Sequence, residues 1–315
     1  MTPRQRELVF QAALAAALVF LGWYLYRNAA ANLEARRIAS GFAFLWREAG
    51  FEIGETTFLA YSAADSYARA LVVGLANTFR VGAIGIVLAT LIGTLIGLAR
   101  LSPNWLLART AGVYVEAVRN VPLLVQLFFW YVVITDSLPP PAEALHPLPG
   151  VYLSNRGIFF PLPGDLPHLE GFNFAGGGSL TPEFAALLTG LVTYTAGFIA
   201  EIVRAGIVSV PRGQVDAALS LGLTRRETLR RVTLPLALRL IVPPMTSQYL
   251  NLAKNSSLAV AIGYPDLVSI ANTAMNQTGQ SIEGIAIIMA VYLTISLSIA
   301  AFMNWYNRRI ALRER

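Results

Sequence analysis

Seven polar side chains interrupt runs that are otherwise hydrocarbon, and chemistry in this chain begins with them. Asn77 and Arg80 fall in the apolar run 71–99, Gln126 in 113–135, Glu201 near the end of 183–203, and Lys254, Asn255 and Ser256 in 236–262. A charge at the centre of a bilayer costs about 3 kcal/mol or more, so such residues default to functional candidates. Arg80 and Lys254 could meet an anionic group, and Glu201 or Gln126 an ammonium. The competing reading is that they pair with one another or snorkel to the headgroups. For Glu201 with Arg204, one helical turn on, pairing is the favoured reading. Arg119 and Asn120, just before Pro122, read as a cap for the start of a broken helix. For Asn77, Arg80 and Lys254 both readings stand.

A second kind of chemistry lies in "DAALSLGLTRRETLRRVTLP", residues 216–235, the most basic stretch of the chain. Val215, Ala218, Leu219 and Leu223 form one apolar stripe, and Gly222 stands where a left-handed helix C-cap is needed. Thr224 with Glu227 three residues later reads as a capping box opening a second helix, whose buried face is Leu229 and Val232. Pro235 follows Leu234 and opens the next apolar run, where a missing N–H costs least. The expectation is a compact basic elbow over 209–235, tied to a membrane helix. In isolation it could pass for a DNA-reading helix-turn-helix, but apolar spans about 10 residues away on either side argue against that, and no nucleic-acid partner is expected.

These residues sit on a chain built for lipid. Of its 315 residues 55% are hydrophobic and only 13% charged, too few charges to cover a soluble globule of this size. There is no cysteine, which excludes disulfides and thiolate metal sites. His146 and His168 read as solvated loop residues, and no metal site is expected. The one lysine, Lys254, follows Ala253, so the chain has no phosphate-binding G-x-x-x-x-G-K-[ST] loop and does not hydrolyse nucleotide by that means.

Six spanning helices are expected, near 9–26, 71–99, 113–135, 183–203, 236–262 and 282–306. The fold class is all-α and polytopic. Residues 27–66 are polar and mixed, with Ile38, Phe42, Leu45, Trp46 and Ala49 at helical spacing, a short helix lying either on the bilayer or on the protein's own loops. Residues 136–182 hold nine of the 17 prolines and read as an irregular loop. With the N-terminus inside, sixteen of the 24 Lys and Arg residues lie on the cytoplasmic side. Both termini and the elbow are therefore expected in the cytoplasm.

The elbow resembles the cytoplasmic signature of ABC-importer permeases, E-A-A, three residues, G, nine residues, I-x-L-P. Ala217, Ala218, Gly222, Leu234 and Pro235 match it, Asp216 replaces the Glu, and Val232 replaces the Ile. "GLANTFRVGAIGIVLATLIGTLIGLARLS", "YVEAVRNVPLLVQLFFWY", "AEIVRAGI" and "LAKNSSLAVAIGYPDL" are similar to permeases for polar amino acids. "SGFAFLWREAGFEIG", with its preceding extra span, looks like the general L-amino-acid subgroup. The resemblance covers about residues 38–310.

It implies a type I ABC-importer permease fold with an extra N-terminal segment, 1–66, before a core of 67–310 in a bacterial inner membrane. It also implies the partners: a second permease subunit, identical or homologous; two ATPase subunits on the elbows, binding ATP and magnesium; and an extracytoplasmic amino-acid-binding protein. No cofactor belongs to this chain, which would be a transporter subunit and not an enzyme. The elbow residues Asp216, Ala217, Ala218, Gly222, Leu234 and Pro235 would couple it to the ATPase. Asn77, Arg80, Gln126, Lys254, Asn255 and Ser256 are the candidate substrate path, since an amino-acid zwitterion needs donors for its carboxylate and acceptors for its ammonium. The alternative is an ion-coupled carrier acting alone, which should show acidic relays and inverted repeats within its spans, and neither is evident.

Overall fold

A computed structural model describes residues 3–35, 40–56 and 59–310, so Arg36, Arg37, Ile38, Arg313 and Arg315 lie outside the described residues. Ten α-helices follow in order: α1 (Pro3–Ala35), α2 (Tyr67–Ala99), α3 (Trp105–Asn120), α4 (Leu123–Ser137), α5 (Pro182–Val208), α6 (Arg212–Ser220), α7 (Arg225–Thr228), α8 (Leu234–Asn255), α9 (Leu267–Thr278) and α10 (Ser281–Ile310). Four of them are long and apolar enough to cross a membrane unbroken, and the number rises to six if each of two bent pairs makes one span.

The expected third span, 113–135, is one of those bends. Val121 and Pro122 separate α3 from α4, and the two helices meet at 106°. Pro122 is the cause, because the residue before a proline is pushed out of the α region and the ring removes an N–H. Val121 is accordingly extended, at φ −98° and ψ 127°. The second pair joins residues 225–262 to α9 at 51°.

Small residues let the spans approach. A Cβ added at Gly97 of α2 would lie 2.7 Å from the Ala200 carbonyl oxygen, and one at Gly93 would lie 2.7 Å from Ile199 Cβ. Only glycine lets α2 and α5 meet this closely, and in lipid such contact is what drives helix association. α5 is the hub of the bundle, packing on α2, α3, α4 and α8.

Residues 145–180, read as irregular, fold into β-structure. Strands β1 (Leu145–Leu148), β2 (Val151–Ser154), β3 (Gly157–Phe160) and β6 (Gly178–Leu180) form an antiparallel sheet in the order β1-β2-β3-β6. Strands β4 (His168–Glu170) and β5 (Asn173–Ala175) make a hairpin whose Phe174 packs on Tyr152 and Phe159, with ring centroids 4.4 and 4.9 Å apart. Strands of three or four residues are too short to carry a period-2 pattern, which is why composition pointed to a loop.

The N-terminal polar segment also differs from expectation. Its first residues, to Ala35, continue α1, and among the described residues between α1 and α2 only Phe42–Trp46 is helical, as one short 3₁₀ turn; Phe44 is its buried residue, whereas Phe42 and Trp46 face outward. Phe44, Ala49 and Ile53 join a core with Tyr67 and Ala70 of α2 and Leu267 and Ile270 of α9. The segment therefore lies on the protein itself.

Candidate functional site

The elbow is built locally, residue by residue. At the end of α6 the Gly222 N–H donates to the Leu219 carbonyl at 2.9 Å and the Leu223 N–H to the Ala218 carbonyl at 3.2 Å. This crossed pair is the Schellman arrangement, and it needs a left-handed residue between helices. Gly222, at φ +84°, supplies it. Thr224 then opens α7 with a complete capping box: its hydroxyl accepts from the Glu227 N–H at 3.3 Å, and its own N–H donates to the Glu227 carboxylate at 3.0 Å. The hydrogen bond from the Thr224 backbone N–H, then that from its hydroxyl, hold the Glu227 carboxyl below its ordinary pKa, with Arg231 adding a smaller pull.

The second helix does not stop before the span. Residues Leu229–Thr233 form a π-turn that runs straight into α8, with the Leu234 N–H donating to the Leu229 carbonyl five residues back. A wide turn at this point absorbs the N–H missing at Pro235 without breaking the rod. The elbow and span five are thus one continuous helix from Arg225. Its buried face differs from expectation, since Thr228 is buried and Leu229 is exposed, the π-turn having rotated the register. On α6, Ala218 is buried and Val215 packs against the core, while Leu219 faces out and Leu221 is 84% exposed. Asp216 and Ala217 are exposed as well.

The polar residues of the spans fall into separate places. Arg80 forms an ion pair with Glu55 at 2.8 Å, each side chain only 7% exposed, and its guanidinium lies 4.0 Å from the centre of the Phe184 ring. Glu55 also accepts from the Thr181 hydroxyl, and the Asn77 amide donates to the Glu55 and Pro265 carbonyls at 2.9 and 3.0 Å. Asn77 and Arg80 are therefore structural pins that fasten the segment before α2 to the starts of α5 and α9. Glu55 was invisible in the sequence, 25 residues from its partner in a segment with no periodic pattern.

Gln126 is likewise engaged: its amide donates to the Val118 and Val121 carbonyls at 2.8 and 3.0 Å, acceptors left open by the helix break. It still borders a cavity of about 450 Å³ with Tyr114 and Thr193. Glu201 binds Arg204 as expected and Arg100 in addition, joining the ends of α2 and α5. Ser256 is buried and donates to the Ala253 carbonyl at 2.9 Å.

Lys254 is different. It is exposed in the last turn of α8 and, among the described residues, its ammonium has no ion-pair or hydrogen-bond partner. Ser247 and Asn251 are exposed at positions seven and three residues before it, so the three share one helix face, with Asn255 half-buried beside them. Counting back from Lys254 at helical spacing would have found Ser247 and Asn251 in the sequence.

Bent spans, a rigid elbow leading into one of them and a polar helix face define a polytopic transport component. Residues 83–312 match the family described as binding-protein-dependent transport system inner membrane component, and the chain belongs to that family. It is 44% identical to the permease protein YhdX of Escherichia coli (strain K12), over 99% of this chain and 96% of that protein. It is 41% identical to the general L-amino acid transport system permease protein AapQ of Rhizobium johnstonii (strain DSM 114642 / LMG 32736 / 3841), over 99% and 94%. Among solved structures it is similar to an amino acid ABC transporter crystallised with histidines, at 27% identity and TM-score 0.57, over 77% of this chain and 95% of that one. The chain is a membrane component of an ABC importer, working with ATPase subunits and a binding protein, and not an enzyme.

Proposed function

We propose that this chain is the permease subunit of an ATP-driven importer for polar L-amino acids, with the elbow on the cytoplasmic side and both termini there. The observation that carries the reading is the elbow. An exposed apolar knob, Ala217 with Leu219 and Leu221, is held by a Schellman cap and a capping box at the root of a continuous membrane helix. A chain without a phosphate loop needs its motor elsewhere, and this knob is a socket for one. Closure of an ATPase pair on ATP and magnesium would push Asp216–Gly222 as a rigid lever, and α8 would carry the push into the bilayer.

The substrate path is assigned to the face of α8 that bears Ser247, Asn251 and Lys254. Three polar groups in a row do not face hydrocarbon, so that face lines a wet path beside a second permease. Lys254 would hold the carboxylate of the passing zwitterion, with Asn255 alongside. The relatives' names support amino acids as cargo, and the ion-coupled carrier acting alone has no support in the family. Affinity purification from the native membrane should bring down an ATPase and a second permease chain. Uptake by the purified chain alone in liposomes, indifferent to ATP, would end this reading.

A further inference from the structure

Three sides of α5 are taken by neighbours. Gly93 and Gly97 of α2 press on Ile199 and Ala200, Val118 of α3 lies against Gly197, and Ile241 of α8 lies against Gly206. The fourth side, opposite α2, carries Tyr194, Phe198 and Ala205, within about 40° of one another at 100° per residue, and all three reach the surface. The rings of Tyr194 and Phe198 stand 5.0 Å apart, centre to centre. α8 turns its Ser247, Asn251 and Lys254 face to the same side, because Leu252, which meets Gly85 of α2, lies on its other flank.

Arg119 enters this wall from α3. It does not cap the helix break, as its place before Pro122 suggests in the sequence; its guanidinium lies 5.0 Å from the centre of the Phe198 ring. Glu116 is exposed one turn earlier on the same face of α3. Glu201 and Arg204 have the same spacing and pair, whereas among the described residues neither Glu116 nor Arg119 makes an ion pair. Gly197, where α3 meets α5, is eleven residues from the elbow end of α5 at Val208, about 16 Å and half the hydrocarbon thickness of a bilayer. Two opposite charges left exposed at that depth do not face lipid.

We propose that Arg119 and Glu116 form a binding site for a zwitterion beside the Phe198 ring. The guanidinium grips the carboxylate of an α-amino acid with two parallel hydrogen bonds, and the Glu116 carboxylate takes its ammonium. Residues three apart on a helix have Cβ atoms about 5–6 Å from one another, and a zwitterion whose charged groups share one carbon bridges that gap. The inference rests on the import function proposed above and adds a second station to its path. α8 runs back from the elbow beside α5, and Gly206 lies against Ala237 and Ile241, so Phe198, eight residues earlier, is level with 245–249, where Ser247 sits. Lys254 is seven residues further from the elbow, about 10 Å. A carboxylate that leaves Lys254 is received by Arg119 on its way to the elbow end.

The chain's lack of cysteine makes the test direct, since Ser247→Cys changes one atom and gives a single thiol. In native membranes holding the whole transporter, that thiol is treated with an anionic reagent, 2-sulfonatoethyl methanethiosulfonate, and a cationic one, 2-(trimethylammonium)ethyl methanethiosulfonate. The anionic-to-cationic rate ratio, divided by that of a free thiol, should fall at least about fivefold with Arg119→Gln or Arg119→Met, hold with Arg119→Lys and rise with Glu116→Gln. A mixture of the twenty common L-amino acids should slow the labelling, and Arg119→Gln should abolish that protection. A ratio that ignores the Arg119 variants but falls with Lys254→Gln overturns this site and leaves the path along α8 standing. A ratio that responds without protection by amino acids overturns it too, as charges in water that hold no zwitterion. A thiol that reacts with neither reagent means a dry face and overturns both readings. If the Arg119 variants do not accumulate in the membrane, Glu116→Gln decides, and no rise overturns the site.

Discussion

Glu55 and Arg80 illustrate what a charge inside this protein is for. Each is buried, each has the other as partner, and Thr181, Asn77 and Phe184 complete their surroundings. Removing one partner strands the other, so Arg80→Leu or Glu55→Gln alone should cost about 3–5 kcal/mol. Replacing both should cost less than the sum of the two single losses, as thermal unfolding in detergent would read. Losses that simply add would mean that the pair is not coupled. Lys254 predicts a different outcome, because among the described residues its ammonium has no partner to strand. Lys254→Gln should raise the KM for uptake about tenfold or more, the worth of one charge-assisted hydrogen bond, while ATPase attachment and chain stability hold. An unchanged KM would take Lys254 out of the path.

Among the elements the elbow matters most. Gly222→Val forces a β-branched residue into a left-handed backbone and undoes the Schellman cap, so ATPase activity should persist in the assembled transporter while uptake falls. Uptake at the parental rate would refute the lever. The capping box adds a pH dependence with a definite sign. Because folding lowers the Glu227 pKa, its contribution is complete above the ordinary carboxylate value of 4.5 and is lost as pH falls through the lowered one. The protection of the α7 amides, measured against their intrinsic exchange rates at each pH, should therefore fall on acidification below that value, and Thr224→Ala should flatten the response.

The elbow was legible in the sequence because each of its devices closes within five residues. Gly222 and the Thr224–Glu227 pair are local statements that side-chain chemistry alone makes. The π-turn was not, since nothing in Leu229–Thr233 distinguishes it from an α-turn until Pro235 needs relief. The Arg80 partner was hidden by chain separation, and the β-strands by their brevity.

At the scale of the whole molecule, α5 and α2 form the central pair of the bundle, with α3, α4 and α8 packed on α5 and α9 on α2, and the glycine contacts at Gly93 and Gly97 leave the pair little room to slide. The expectation of a polytopic helical bundle followed from hydropathy, which averages away the bends at Pro122 and beyond Ile262, although the proline that causes the first stands in the sequence.

The buried pin at Glu55 joins four things that a reader of the sequence would keep apart: the stretch before α2, α2 itself, the end of the β-sheet at Thr181, and the turn at Pro265. Fastened there, no one of the four can move away from the others without breaking a polar contact sheltered from water.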